Sequence, residues 1–254
     1  MKKDHSAILS QSYSLAKANF KVRNEGSYLG ILWYLLNPLS YFLIILYLRG
    51  VLFASEAVAY YPAYLLLGLI MMNFFNQSMA ASADLIRSNS GFIKSIKIRY
   101  EIFVVSTLLQ GMFSHAFELL LFAVLLLYVH VSLLGIVWYL VVFVFFALFV
   151  LGLSFLFATV GIYFNDLKNI WAIGAQLLLF ITPVFYAVHP GTYIYVGNLF
   201  NPLFYFLTAA RDVAIYGIFP SPGIALTGAA ISVSALAIGL FAFERCKSRF
   251  AELV

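Results

Sequence analysis

Residues 102–164 read IFVVSTLLQGMFSHAFELLLFAVLLLYVHVSLLGIVWYLVVFVFFALFVLGLSFLFATVGIYF, and Glu118 is the sole Asp, Glu, Lys or Arg among them. About 20 apolar residues, rising 1.5 Å each, cross a hydrocarbon core of about 30 Å, so one helix of this length would far overrun a bilayer. His130, Ser132 and Gly135 interrupt the run. Two spanning helices, 102–129 and 133–164, joined by a very short turn, are therefore expected. The same tests applied outward place further spans at 38–53, 61–81, 169–188 and 223–243. Asn37 is expected to cap the first of these, with Pro38 at the first helical position, where its missing N–H costs nothing.

Composition leaves little room for anything else. The chain has 254 residues, of which 64% are hydrophobic and 10% charged, with a mean hydropathy of +0.98. Such a chain cannot cover itself with a polar surface, and six spans consume the length, so a separate soluble catalytic domain is excluded. Cys246, the single cysteine, lies between Arg245 and Lys247 and has no partner for a disulfide. The opening MKKDHSAILSQSYSLAK lacks the apolar core of a cleavable signal, so the N-terminus is expected to stay in the mature protein.

The formal charge of +5 could suggest nucleic acid, but the basic residues fall in short clusters between apolar runs. Lys2, Lys3, Lys17, Lys21, Arg23, Arg87, Lys94, Lys97, Arg99, Lys168, Arg245, Lys247 and Arg249 fall on one side of the six-span arrangement, Arg49 and Arg211 on the other. The excess of Lys and Arg marks the cytoplasmic side, so both termini are expected there and no nucleic-acid partner is implied. In residues 6–23, Ile8, Leu9, Tyr13, Ala16 and Phe20 recur at helical spacing with Lys17, Lys21 and Arg23 off that stripe, the pattern of a helix lying in the membrane interface. Residues 84–101 form the one sizeable charged loop between spans, the expected contact for a cytoplasmic partner. Residues 189–222 carry prolines and aromatics with few charges, too apolar for a free loop and too broken for another span. The expected fold is thus all-α: six transmembrane helices, an N-terminal amphipathic interfacial helix, and short re-entrant helices between spans five and six, in a single membrane domain over 1–254.

No phosphate-binding glycine loop, His-Glu-x-x-His, paired cysteines or nucleophile elbow occurs. No catalytic residue, metal site or bound cofactor is expected. His115 and Glu118, three apart on the third span, share a helix face; a proton relay and a glutamate bonded to a neighbouring helix or facing a polar lumen are both open, the second favoured. Arg211 and Asp212 are expected to pair at the outer face, anchoring the re-entrant element. Aromatics make up 18% of the chain. Many suit the interfacial belts, as with Tyr60, Tyr61, Tyr64, Trp138 and Tyr139. Phe74, Phe75, Glu118 and Tyr186 are candidates to line a path, since sugar rings stack on aromatic faces while their hydroxyls reach polar edges.

At Arg23–Leu39 the chain reads RNEGSYLGILWYLLNPL, with Ser27, Leu29, Gly30, Leu32, Trp33, Pro38 and Leu39 in a particular order. In this order it resembles the membrane subunits of bacterial ABC transporters that export polysaccharide, the O-antigen, capsule and teichoic acid permeases. The resemblance continues through Thr182, Pro183 and Tyr186, then Asn201, Pro202 and Arg211, to the C-terminal FERCKSRFAELV, and so covers nearly the whole chain. Asn24, Glu25 and Gly26 depart from it, standing where relatives have an aromatic and further basic residues. The resemblance implies a permease without enzymatic activity of its own, in the bacterial cytoplasmic membrane. It pairs with a second copy of itself and with two copies of a separate ATP-binding cassette subunit that holds ATP and Mg, and it passes a lipid-linked polysaccharide outward. It assigns Lys21, Arg23, Ser27 and Trp33 to substrate entry at the lipid head group. Arg87, Lys94, Lys97 and Arg99 fall to coupling with the ATPase, and Pro183, Asn201, Pro202 and Arg211 to an outer gate. A permease for a drug or small lipid, and an ion-coupled carrier, are the alternatives; the carrier would want inverted repeats and more intramembrane charge than the chain shows.

Overall fold

The structure is a computed structural model that describes residues 2–25, 30, 32–52, 58–95 and 99–250. These are helical, with no strand among them. In chain order the helices are α1 (Lys2–Asn24), α2 (Leu32–Leu52), α3 (Tyr61–Ala83), α4 (Leu85–Ser88), α5 (Ser90–Ser95), α6 (Tyr100–Tyr128), α7 (Leu134–Tyr163), α8 (Leu167–Ile181), α9 (Tyr193–Asn198), α10 (Pro202–Arg211) and α11 (Pro222–Cys246). A π-helical turn, Asp212–Tyr216, continues α10, and a short 3-10 turn follows α11. Four segments are long and apolar enough to cross a membrane: α3, α6, α7 and Pro222–Arg249. Leu35–Arg49 within α2 and Leu167–Ile181 are apolar but shorter.

α3 is the central post. Its buried residues run round the whole helix, from Ala63 through Leu67 and Met71 to Met79, as a helix surrounded by others requires. α2, α6, α7, α8 and α10 all pack on it. The principal core joins α3 to α7 through a run of rings, Phe74 and Phe75 against Phe143, Phe146 and Phe149. A smaller core at the other end gathers Leu85, Phe103, Phe155, Phe243 and Phe250, which ties the chain's end to α6 and α7.

The turn between α6 and α7 is as short as the sequence requires. Val131 N–H bonds to Leu126 O at 2.9 Å and His130 N–H to Leu127 O at 3.2 Å, with His130 at φ 58°. This is a Schellman closure with His130 in the left-handed position, and it satisfies carbonyls that the end of α6 would otherwise leave bare. α7 and α11 meet at small residues. α11 buries Gly228, Ser232 and Gly239, and Ser232 Oγ donates to Phe145 O of α7 at 2.8 Å. A Cβ on Gly239 would lie 2.0 Å from Gly152 O, so the two backbones are in contact, the packing mode available where lipid supplies no hydrophobic drive.

Two expectations are corrected. α2 starts at Leu32, so Asn37 is not its cap and Pro38 sits inside the helix. A proline there costs one backbone hydrogen bond, and Ser40 Oγ, donating to Leu36 O at 2.6 Å, occupies a nearby carbonyl. The segment expected at 169–188 is helical only to Ile181. Thr182 is extended at ψ 138°, the conformation that the following Pro183 imposes. Along the apolar stripe of α1, Ala16 is fully buried, as is Ser12 beside it, and Tyr13 and Phe20 meet Phe113 and Phe117 of α6, while Leu9 is exposed.

Candidate functional site

α2, α3 and α8 enclose a groove of about 300 Å³. Its polar lining consists of Asn37, Asn73, Asn76, Gln77 and Gln176, with Tyr41 and Trp171 beside them. No charged side chain lines it among the described residues. Asn73, Asn76 and Gln77 stand three and four apart on α3, which places them on one face. Trp171 Nε1 donates to Asn76 O at 3.3 Å and its ring meets Phe75 and Phe157 edge-on, which fixes α8 against α3. Asn76 Oδ1 is buried without a hydrogen-bond partner.

Behind the groove the polar contacts continue inward. Gln77 Nε2 and Asn37 Nδ2 donate to Asn73 Oδ1 at 3.1 and 3.3 Å, and Asn73 Nδ2 donates to Glu118 Oε1. Glu118 Oε2 lies 3.2 Å from His115 Nδ1, and His115 Nε2 lies 2.7 Å from Tyr139 Oη. Glu118 is 1% exposed and is not part of this groove's lining. Its bond to α3 matches the favoured reading of a glutamate bonded to a neighbouring helix. Phe74 and Phe75 likewise stand in the ring core, not in the groove wall, because the wall of α3 is taken by the amides on either side of them.

Beyond the end of α8, Thr182–Tyr186 carries carbonyls that no helix can satisfy. Arg211 supplies the donors: Nη1 to Pro183 O at 2.7 Å, and Nη2 to Val184 O at 3.1 Å and Tyr64 O at 3.3 Å. The guanidinium carbon sits 3.3 Å from the centre of the Tyr64 ring. Tyr64 Oη donates to Tyr186 O at 2.8 Å, Tyr61 Oη to Phe185 O at 2.9 Å, and Tyr186 Oη back to Ile181 O at 2.7 Å. Asn201 caps α10 through Oδ1, which accepts from Leu203 N–H at 3.1 Å, while its Nδ2 donates to Thr182 Oγ1 at 2.9 Å; Pro202 follows at the first helical position. Pro183, Asn201 and Arg211, buried, and Tyr186 and Pro202, half-buried, thus form one knot around the non-helical backbone. The expected pairing of Arg211 with Asp212 is corrected. Arg211, 4% exposed, spends its Nη donors on carbonyls and lays its guanidinium on an aromatic face while Nε stays unbonded, and no ion pair joins it to Asp212 among the described residues. Burial draws the guanidinium below its ordinary pKa and raises Asp212 to about 6.

At the opposite end, Arg87 Nη2 donates to Ile162 O at 2.7 Å, which ties α4 to the last turn of α7. Lys94 is exposed on α5. Arg99 Nε lies 3.6 Å from Glu101, whose other oxygen meets Lys247 Nζ at 2.8 Å. Lys97 and Ser27 lie outside the described residues. Lys21 pairs with Glu25 at 3.4 Å near the end of α1, where Arg23 is also exposed, and Trp33 stands exposed at the start of α2.

A profile of the ABC-2 type transporter family matches residues 10–215, which takes in the groove and the knot. The chain belongs to the ABC-2 type transporter family. This ABC-2 chain is 26% identical over 247 residues to the O-antigen export system permease protein RfbA of Klebsiella pneumoniae, covering 94% of this chain and 93% of that protein. Its similarity to the protein of the same name from Myxococcus xanthus is 25% over 245 residues, covering 95% and 94%. It is a multi-pass membrane protein of a transporter family.

Sequence reasoning missed the groove of this ABC-2 chain. Asn73, Asn76 and Gln77 were legible as three amides crowded into an otherwise apolar span, a costly arrangement unless they face one another or a polar path. Tyr64 and Tyr139 read as belt aromatics, and only the fold shows their hydroxyls turned inward to Tyr186 O and His115. Trp171 carried no local signal at all.

Proposed function

We propose that the chain is the membrane subunit of an exporter that carries lipid-linked polysaccharide across the bacterial inner membrane, driven by a separate ATP-binding cassette protein. Two copies of the chain pair around the path and two copies of the ATPase bind ATP and Mg beneath them. The observation that carries the reading is the uncharged groove of amides and aromatic edges between α2, α3 and α8. Sugars lose heavily in hydrocarbon unless their hydroxyls find partners, and amides with Trp and Tyr edges supply both bonding and stacking. The likeness to O-antigen export permeases along almost the entire chain supports the same substrate class.

In this reading six spans cross the membrane with both termini inside. α2 and α8 are two of them, and the bonded turn after α8 completes its crossing on the outer side. Lys21, Arg23, Ser27 and Trp33 receive the lipid head group. Lys94, Lys97 and Arg99 meet the ATPase, and Arg87 conveys its movement into α7 through the Ile162 carbonyl. The knot around Arg211 frames the outer exit.

The test is reconstitution of the chain with its neighbouring ATPase in vesicles containing a polyprenyl-diphosphate-linked glycan. The expected result is ATP-dependent appearance of glycan on the far side, with none when either protein is omitted. Export by the chain without an ATPase overturns the reading, as does ATP-dependent movement of small lipids with no movement of glycan.

A further inference from the structure

Five hydrogen-bonded steps lead from the groove wall to a tyrosine with no exposed surface: Asn37 and Gln77 to Asn73, Asn73 to Glu118, Glu118 to His115, and His115 to Tyr139. We propose that Glu118, held by His115 and Tyr139, is the positioning residue of the groove, and that the amides it orients select uncharged, hydroxyl-rich segments of the transported chain. This rests on the glycan-export reading and adds to it a substrate class and a residue that sets it.

The argument is one of donors and acceptors. An asparagine amide can turn over, exchanging its oxygen and nitrogen, unless a neighbour accepts only one of them. A carboxylate accepts and does not donate, so Glu118 Oε1 takes the Asn73 N–H and leaves Asn73 Oδ1 facing the groove. There Oδ1 gathers one N–H each from Gln77 and Asn37. The oxygens of these two amides and their second N–H groups are then turned to fixed directions. A carboxylate behind an amide also polarises it, which strengthens the acceptor on the far side. Glu118 is itself fixed by His115 Nδ1, and His115 by Tyr139 and by Phe143, on which its ring lies stacked. Fixed amides, with no cation in the lining among the described residues, suit hydroxyls and offer nothing to balance a carboxylate on the sugar.

The complete exporter, chain and ATPase together, is assayed in vesicles with two probes of equal length, a polyprenyl-diphosphate-linked neutral hexose polymer and its uronate-containing counterpart. Wild type is expected to show the lower KM for the neutral polymer. Glu118→Ala raises that KM roughly 3- to 10-fold, the range of one or two lost hydrogen bonds, with kcat little changed. Glu118→Gln, whose amide can donate as well as accept, frees Asn73 to turn over and raises KM too, with kcat and the pH dependence of export unaltered. Should Glu118→Ala fail to fold, Asn73→Ala in the half-exposed groove wall reproduces the KM rise, and combining it with Glu118→Gln adds nothing further. Equal or tighter use of the uronate polymer by wild type overturns the substrate class. A fall in kcat alone, or a wild-type KM in Glu118→Gln, overturns the positioning role. Absence of export of either polymer by wild type counts instead against the exporter reading itself.

Discussion

Arg211 shows how a full charge can be buried without a counter-ion. Its donors are the natural complement to carbonyls released where α8 stops, and Tyr64 covers its face. Arg211→Leu leaves those carbonyls bare and is expected to cost about 3 kcal/mol or more, read as a large fall in the melting temperature of the purified protein in detergent. Arg211→Lys keeps the charge but loses the planar fork and the stacking, and should recover only part of the loss. Asp212 gives a separate signature in pH. Its folded pKa of about 6 lies above the ordinary carboxylate value of about 3.9, so the folded state holds the proton more tightly than the unfolded one. Stability from this group is therefore gained as pH falls from about 6 to about 4 and lost as pH rises through the same window. Asp212→Asn is expected to flatten that slope in melting curves taken across pH 4 to 7. An unchanged slope would show that another group carries it.

Among the elements, those with long apolar runs were the most legible from sequence. α6 and α7 fall within a few residues of their expected limits because nothing inside them competes with the helix and the break at His130 is unambiguous. α8 was misjudged because hydropathy continues past Pro183 while the backbone does not; apolar character and helical conformation part company at a proline. The start of α2 was misplaced for the converse reason, since a proline tolerated within a helix resembles one that begins it. The contact between α7 and α11 left no pattern in charge or hydropathy, only glycines. Gly239→Ala should force the helices apart, because its new methyl group would meet Gly152 O at 2.0 Å with no flexible side chain to yield. A loss of about 1–3 kcal/mol is expected from such overpacking, whereas Gly223→Ala, with open space around it, serves as the control.

For the molecule as a whole, composition was enough to fix the membrane class, and the family was legible in the ordered motifs from Ser27 to Leu39 and beyond. The location of the groove was not legible, since it depends on three helices distant in sequence, and Asn37 was read as a cap because its partner Asn73 lies 36 residues away. Coupling belongs to this scale too. Lys94→Glu, Lys97→Glu and Arg99→Glu together are expected to weaken copurification with the ATPase and lower ATP-driven export several-fold, while single changes do less, since exposed charges act weakly one at a time. Retention of full coupling in the triple variant would place the contact elsewhere.

Where backbones touch at Gly152 and Gly239, neither partner can roll or slide without opening a void that lipid cannot enter. α7 and α11 should therefore travel as a single stiff strut, with Arg87 gripping its lower end. α8, which has no fully buried residue, is held to α3 mainly through Trp171 and is the lighter, freer wall. A work cycle in such a body is expected to widen or narrow the passage by swinging that wall against a frame that keeps its shape.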